Sequence, residues 1–167
     1  MRIAVVVGNP KPQSRTLGVA RAVADELGKA VGASADHLVI DLADHAGSLF
    51  DRESERLAGL TAQVAAGELI IAASPTYKAS YTGMLKAFFD RYGSNALAGS
   101  VAIPVMTGAG SGHALAAELH LRPLLVELGA TVPTRALYIT EAELPELDKS
   151  VASWAETAGP LVRRALG

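Results

Sequence analysis

Ile3-Ala4-Val5-Val6-Val7-Gly8-Asn9-Pro10-Lys11-Pro12-Gln13-Ser14-Arg15-Thr16 begins as an unbroken apolar run and ends where a helical pattern takes over. A run that is apolar at every position, rather than at alternate ones, is how a parallel strand buried on both faces reads. Thr16–Ala30 then carries Leu17, Ala20, Ala24 and Leu27 at i, i+3, i+7 and i+10, one face of a helix. The two alanines on that face let the helix sit close to a sheet.

The same alternation runs along the rest of the chain. Short apolar runs recur at His37–Asp41, Leu69–Ala73, Val101–Met106 and Val132–Ile139. Helical stretches lie between them at Glu53–Ala66, Gly83–Tyr92 and Gly112–Leu128, and Leu147–Leu166 follows the last strand. Five strands alternating with five helices predict a doubly wound α/β fold, a three-layer sandwich around a parallel sheet. At 167 residues the length suits one domain, 1–167, with the five-stranded flavodoxin-like order 2-1-3-4-5 rather than a six-stranded dinucleotide fold. Ligands in such sheets bind beyond the carboxyl ends of the strands, where the strand order switches. That picks out the loops after strands 1, 3 and 4.

Composition narrows the chemistry. Half the residues (50%) are hydrophobic and 19% are charged, which excludes a disordered chain. There is no cysteine, so disulfides, thiolate nucleophiles and Cys-ligated metal sites are excluded. A net charge of −2, from 15 basic against 17 acidic residues, leaves little for phosphate-backbone neutralisation, and nucleic acid is not expected as a partner. No apolar run approaches the ~20 residues of a membrane span, and Ile3–Val7 is too short for a signal core. A cytoplasmic protein without membrane association is the expectation.

The first loop, Gly8 to Thr16, enters a helix whose N-terminal amides point back at it, a setting that favours an anion. Asn9, Ser14 and Thr16 supply neutral donors, and Lys11 and Arg15 supply charge, as a terminal phosphate monoester requires. The plainer alternative is a helix cap with solvated cations. Gly-Lys-Ser/Thr is absent, so this is not a Walker A loop. The second loop, Ser74 to Gly83, has Pro75 at its entry and two tyrosines beyond it; a flat heterocycle could lie over its backbone, or the loop is an ordinary one. The third, Thr107-Gly108-Ala109-Gly110-Ser111-Gly112-His113, tempts a dinucleotide fingerprint, but the last glycine of that pattern would fall at His113. Its glycines fit close backbone approach to the same ligand.

The stretch Ser74-Pro75-Thr76-Tyr77-Lys78-Ala79-Ser80-Tyr81-Thr82-Gly83-Met84-Leu85-Lys86-Ala87-Phe88-Phe89-Asp90 closely resembles NADPH-dependent FMN reductases, above all the flavin reductases that supply sulfonate monooxygenases. The first loop resembles their Gly-Ser-Pro-Arg-x-x-Ser-x-Ser/Thr phosphate loop, with Asn9 in place of Ser and Lys11 in place of Arg. His113 through Gly129, with Leu121-Arg122-Pro123, resembles their fourth helix. The resemblance implies FMN held with its phosphate on Asn9, Lys11, Ser14, Arg15 and Thr16. Its isoalloxazine would lie against Pro75 to Lys78 and Thr107, Gly108, Ala109 and Gly110. NADPH, or NADH, would stack on the flavin and pass hydride to N5. Lys11 keeps the charge and loses the bidentate fork of Arg. No general acid or base is required, and no catalytic side chain is assigned.

Other occupants of the architecture fall by subtraction. A low-molecular-weight tyrosine phosphatase needs a first-loop cysteine, and a receiver domain needs an acidic pair where this chain has Gly8-Asn9-Pro10. A flavodoxin-like electron carrier, or an FMN-bound quinone, azo or chromate reductase, remains as the alternative. His113 and His120 lack the His-x-x-x-His spacing of a metal pair. Trp154 reads as a packing residue, and Glu141, Glu143, Glu146 and Asp148 as an exposed lead-in to the last helix. Gly112–Leu128 is apolar on more than one side, and Pro123 cannot donate to the Leu119 carbonyl, so a bend or widening is expected there. With the resemblance, the surplus leucines imply a homo-oligomer, a tetramer before a dimer, with His113, Leu119 and His120 near the contact. A flavin-dependent monooxygenase is the implied functional partner.

Overall fold

The computed structural model describes residues 1–32 and 37–167. β1 (Ile3–Val7), β2 (Leu38–Asp41), β3 (Leu69–Pro75), β4 (Val101–Gly108) and β5 (Leu137–Thr140) form a parallel sheet in the order β2-β1-β3-β4-β5. The flavodoxin-like order expected from the alternation is the one observed. Every residue of β1 and β3 is buried, which is why both read as unbroken apolar runs.

α1 (Arg15–Val31) and α5 (Leu147–Leu166) pack on one face; α2 (Glu55–Ala65), α3 (Gly83–Phe89) and α4 (Arg122–Glu127) pack on the other. The Leu17, Ala20, Ala24 and Leu27 face of α1 is buried. Ser14 caps this helix, its hydroxyl accepting from the Leu17 amide at 3.2 Å, and Gly32 ends it at φ 72°. On α5, Gly159 leaves room for Ala30: a Cβ there would lie 3.0 Å from the alanine methyl. Trp154 packs half-buried against this same core, as a packing residue does.

Most boundaries differ from the expected ones by one to three residues: β2 begins at Leu38, α2 spans Glu55–Ala65 behind its Ser54 cap, and α3 ends at Phe89. Two differences are larger. The expected strand Val132–Ile139 joins the sheet only at Leu137–Thr140. Thr131 still bonds to β4, through Thr131 N–H to the Ser100 carbonyl and Ala102 N–H to the Thr131 carbonyl, and then the chain leaves the sheet. Arg122 donates to the Val132 and Thr134 carbonyls, and Glu118 accepts from the Ala136 amide at 2.6 Å, so side chains satisfy the excursion. β4 is matched to the gap. Alternation points the residue-104 donor the same way as that of Ala102, and residue 104 is a proline with no donor to strand.

The second difference is that Gly112–Leu128 is not one α-helix. A 3₁₀ turn at Ser111–His113 and a π turn at Ala117–Leu121 precede α4. The widening sits directly ahead of Pro123, whose missing donor forbids the regular bond to Leu119. Leu121 and Leu125 are fully buried, whereas Leu115, Leu119 and Val126 stand more than half exposed. Among the described residues, no helix is long and apolar enough to cross a membrane.

Candidate active site

β1, β3 and β4 end side by side, and their loops surround a cleft of about 450 Å³. That volume lies within the ~300–1,000 Å³ of ordinary small-molecule sites. Asn9, Lys11, Gln13, Ser14, Arg15 and Thr16 line one end, and Pro75, Thr76, Tyr77, Thr107, Gly108 and Ala109 line the other.

At the first end, Arg15 and Thr16 are the opening residues of α1, so their amides have no carbonyl one turn back to donate to. The neighbouring amides are already used. Leu17 donates to Ser14, Lys11 donates to Asn9 Oδ1 at 2.9 Å, and Gln13 donates to Asp41 Oδ2 at 3.1 Å. Gln13 takes φ 51°, the left-handed turn that swings the loop into the helix. Buried Asp41, the last residue of β2, anchors that turn. Thr16 ties the loops together: its Oγ1 accepts from Asn9 Nδ2 at 3.1 Å and shares a 2.8 Å bond with Thr107 Oγ1.

At the other end, the Thr76 amide donates to the Thr107 carbonyl at 2.7 Å. The Tyr138 hydroxyl accepts from Thr76 Oγ1 at 3.3 Å and donates to the Gly110 carbonyl at 3.2 Å. Gly108 runs beneath that hydroxyl, where a Cβ would lie 2.0 Å from it. The second loop is held from below as well. Thr82 donates to the Gly8 carbonyl at 2.5 Å and caps α3 by accepting from the Leu85 amide at 3.2 Å. Beyond Tyr77 the chain makes a two-residue turn, with Lys78 at φ 50° and Ala79 at φ 63°. Each left-handed non-glycine residue there costs about 1–2 kcal/mol, so the turn is strained.

Of the residues expected to form the site, Lys78 and Gly110 lie outside the lining. Lys78 is exposed on the turn, and Gly110 lends its carbonyl to Tyr138. Gln13, Ile139, Thr140, Glu141 and Leu144 line the cleft without having been expected there. Glu141 is exposed in the lead-in to α5, as expected, and also faces the cleft: its Oε1 accepts from Arg15 Nη2 at 2.8 Å. The signal was positional, because Glu141 follows β5 directly and so stands at a strand's carboxyl end like the other loops.

A profile of the NADPH-dependent FMN reductase family matches residues 1–143. The chain belongs to this family. It is 30% identical to the FMN reductase (NADPH) of Pseudomonas aeruginosa over 96% of this chain and 91% of that one. An NADH-dependent FMN reductase of Pseudomonas fluorescens, SfnF, is 31% identical over the same shares. The crystal structure of an oxidoreductase from Corynebacterium diphtheriae superposes with a TM-score of 0.84 at 26% identity, covering 98% of both chains.

For a member of the FMN reductase family, the cleft has the right chemistry at each end. Helix amides, hydroxyls and two cations suit a phosphate. At the opposite end, Gly108 brings bare backbone to the wall where a ring would lie, and Tyr77, 53% exposed, stands nearby at the edge.

Proposed function

We propose that this chain is an NAD(P)H-dependent FMN reductase that takes hydride from NADPH and supplies reduced flavin to a partner monooxygenase. The observation that carries the reading is the cleft itself, with free helix amides and Lys11 and Arg15 at one end and glycine-bearing loops at the other. Asn9, Lys11, Ser14, Arg15 and Thr16 hold the phosphate in this reading. Pro75 to Tyr77 and Thr107 to Ala109 face the ring. FMN, when bound, supplies the N5 position that accepts hydride. The residues orient and desolvate; the loops are fixed by Thr16, Thr82 and Tyr138, so little reorganisation remains at the moment of transfer. Catalysis by positioning needs no side-chain acid or base.

Exposed Leu115, Leu119 and Val126 support a homo-oligomer formed through the π-turn region, a tetramer before a dimer. Steady-state NADPH oxidation tests the proposed activity: it is negligible without flavin and saturates with added FMN. FMN that binds without turnover from either nicotinamide would make the chain a carrier instead.

A further inference from the structure

We infer that Glu141 weakens the hold on the flavin phosphate and so keeps FMN exchangeable. The inference rests on the reading of the cleft as the FMN site. Glu141 lines the same cleft as Lys11, Ser14 and Arg15, and its carboxylate engages the Arg15 guanidinium. Its placement is built in. Glu141 opens the 3₁₀ turn Glu141–Glu146, and Glu143 folds back to accept from the Thr140 amide at 2.9 Å and the Thr140 hydroxyl at 2.7 Å. That capping box uses the Glu143 carboxylate and fixes the turn that carries Glu141 across from α1. Asp41, the other carboxylate beside the first loop, is used by the Gln13 and Ala43 amides.

A site built only to retain a phosphate has no use for a carboxylate beside its arginine. The carboxylate neutralises the guanidinium and repels a dianion. Arg15 reaches the phosphate only by sharing or leaving Glu141, and an exposed pair of this kind exchanges easily. The penalty falls on FMN and not on riboflavin, which lacks the phosphate. It favours release, as a flavin handed on after reduction requires.

The test compares FMN and riboflavin binding, by quenching of flavin fluorescence, in the wild type, Glu141→Gln and Glu141→Ala. Both substitutions leave the Thr140–Glu143 capping box in place. Each tightens FMN by roughly three- to tenfold and slows FMN release in stopped flow by a similar factor. Riboflavin affinity stays within about twofold. Unchanged or weakened FMN binding, or equal tightening of both flavins, overturns the assignment. A wild type that binds the two flavins equally overturns the site reading beneath it, and that failure is visible before any substitution is made.

Discussion

Gly108→Ala sets a methyl carbon where 2.0 Å separates it from the Tyr138 hydroxyl oxygen and 2.9 Å from Cζ, with Thr76 Oγ1 at 3.4 Å. The first two distances are impossible contacts, so the tyrosine ring must move. It is the tip of a side chain that has to yield, and the backbone of β4 can stay where it is. The hydroxyl cannot move freely, because it holds Thr76 at 3.3 Å and the Gly110 carbonyl at 3.2 Å. Losing two neutral bonds of about 0.5–1.5 kcal/mol each costs about 1–3 kcal/mol. That cost is felt where the second and third loops meet, at the ring end of the cleft. Both FMN and riboflavin therefore weaken, by roughly five- to a hundredfold, with their ratio unchanged. Tyr138→Phe removes the same bonds without the clash, so the double variant loses much less than the sum of the two singles. Fluorescence titration of both flavins against the four proteins measures this. Wild-type affinity in Gly108→Ala, or a loss confined to FMN, would refute the reasoning.

Three further outcomes follow from single contacts. Thr16→Val keeps the shape and leaves Asn9 Nδ2 and Thr107 Oγ1 without their shared partner, so denaturant unfolding shows a loss of about 1–3 kcal/mol. His45 is held below the ordinary histidine range, first by burial and then by Arg56, against the opposing pull of Asp44 and Asp41. The unfolded chain then takes up that proton more readily, so stability is intact above pH ~6.5 and declines as pH falls through the lower folded value; His45→Gln flattens the decline of Tm. Leu119→Asp, at a site 64% exposed, lowers the mass seen by light scattering and weakens FMN with it; a monomeric wild type at micromolar concentration would remove the oligomer proposal.

The sheet was legible because β1 and β3 are buried on both faces, and nothing but a continuous apolar run survives there. A cap at the start of α1 was one of the two readings open for the first loop, and Ser14 fills it; the Thr82 cap of α3 was not anticipated. Nor was the short β5. Val132 to Ala136 holds Pro133, a local signal against a strand interior that the run of apolar residues around it masked, and distant side chains complete the departure: the Arg122 guanidinium and Glu118 carboxylate, opposite a proline in β4. The site divides along the same line. Donors contiguous with a strand end, such as Asn9 to Thr16, were found by position. Asp41 and Tyr138 act through contacts across the sheet, and Glu141 was read by its acidic neighbours instead of by its place after β5.

The central claim is that the amino end of α1 holds a flavin phosphate, and the ratio of riboflavin to FMN dissociation constants, in the wild type and in Arg15→Ala, tests it most directly. A charge-assisted bond contributes about 1.5–3 kcal/mol. The account predicts a wild type that strongly prefers FMN, and an Arg15→Ala variant in which FMN weakens roughly ten- to a hundredfold while riboflavin is nearly unchanged. Equal losses for both flavins, or a wild type indifferent to the phosphate, would contradict it.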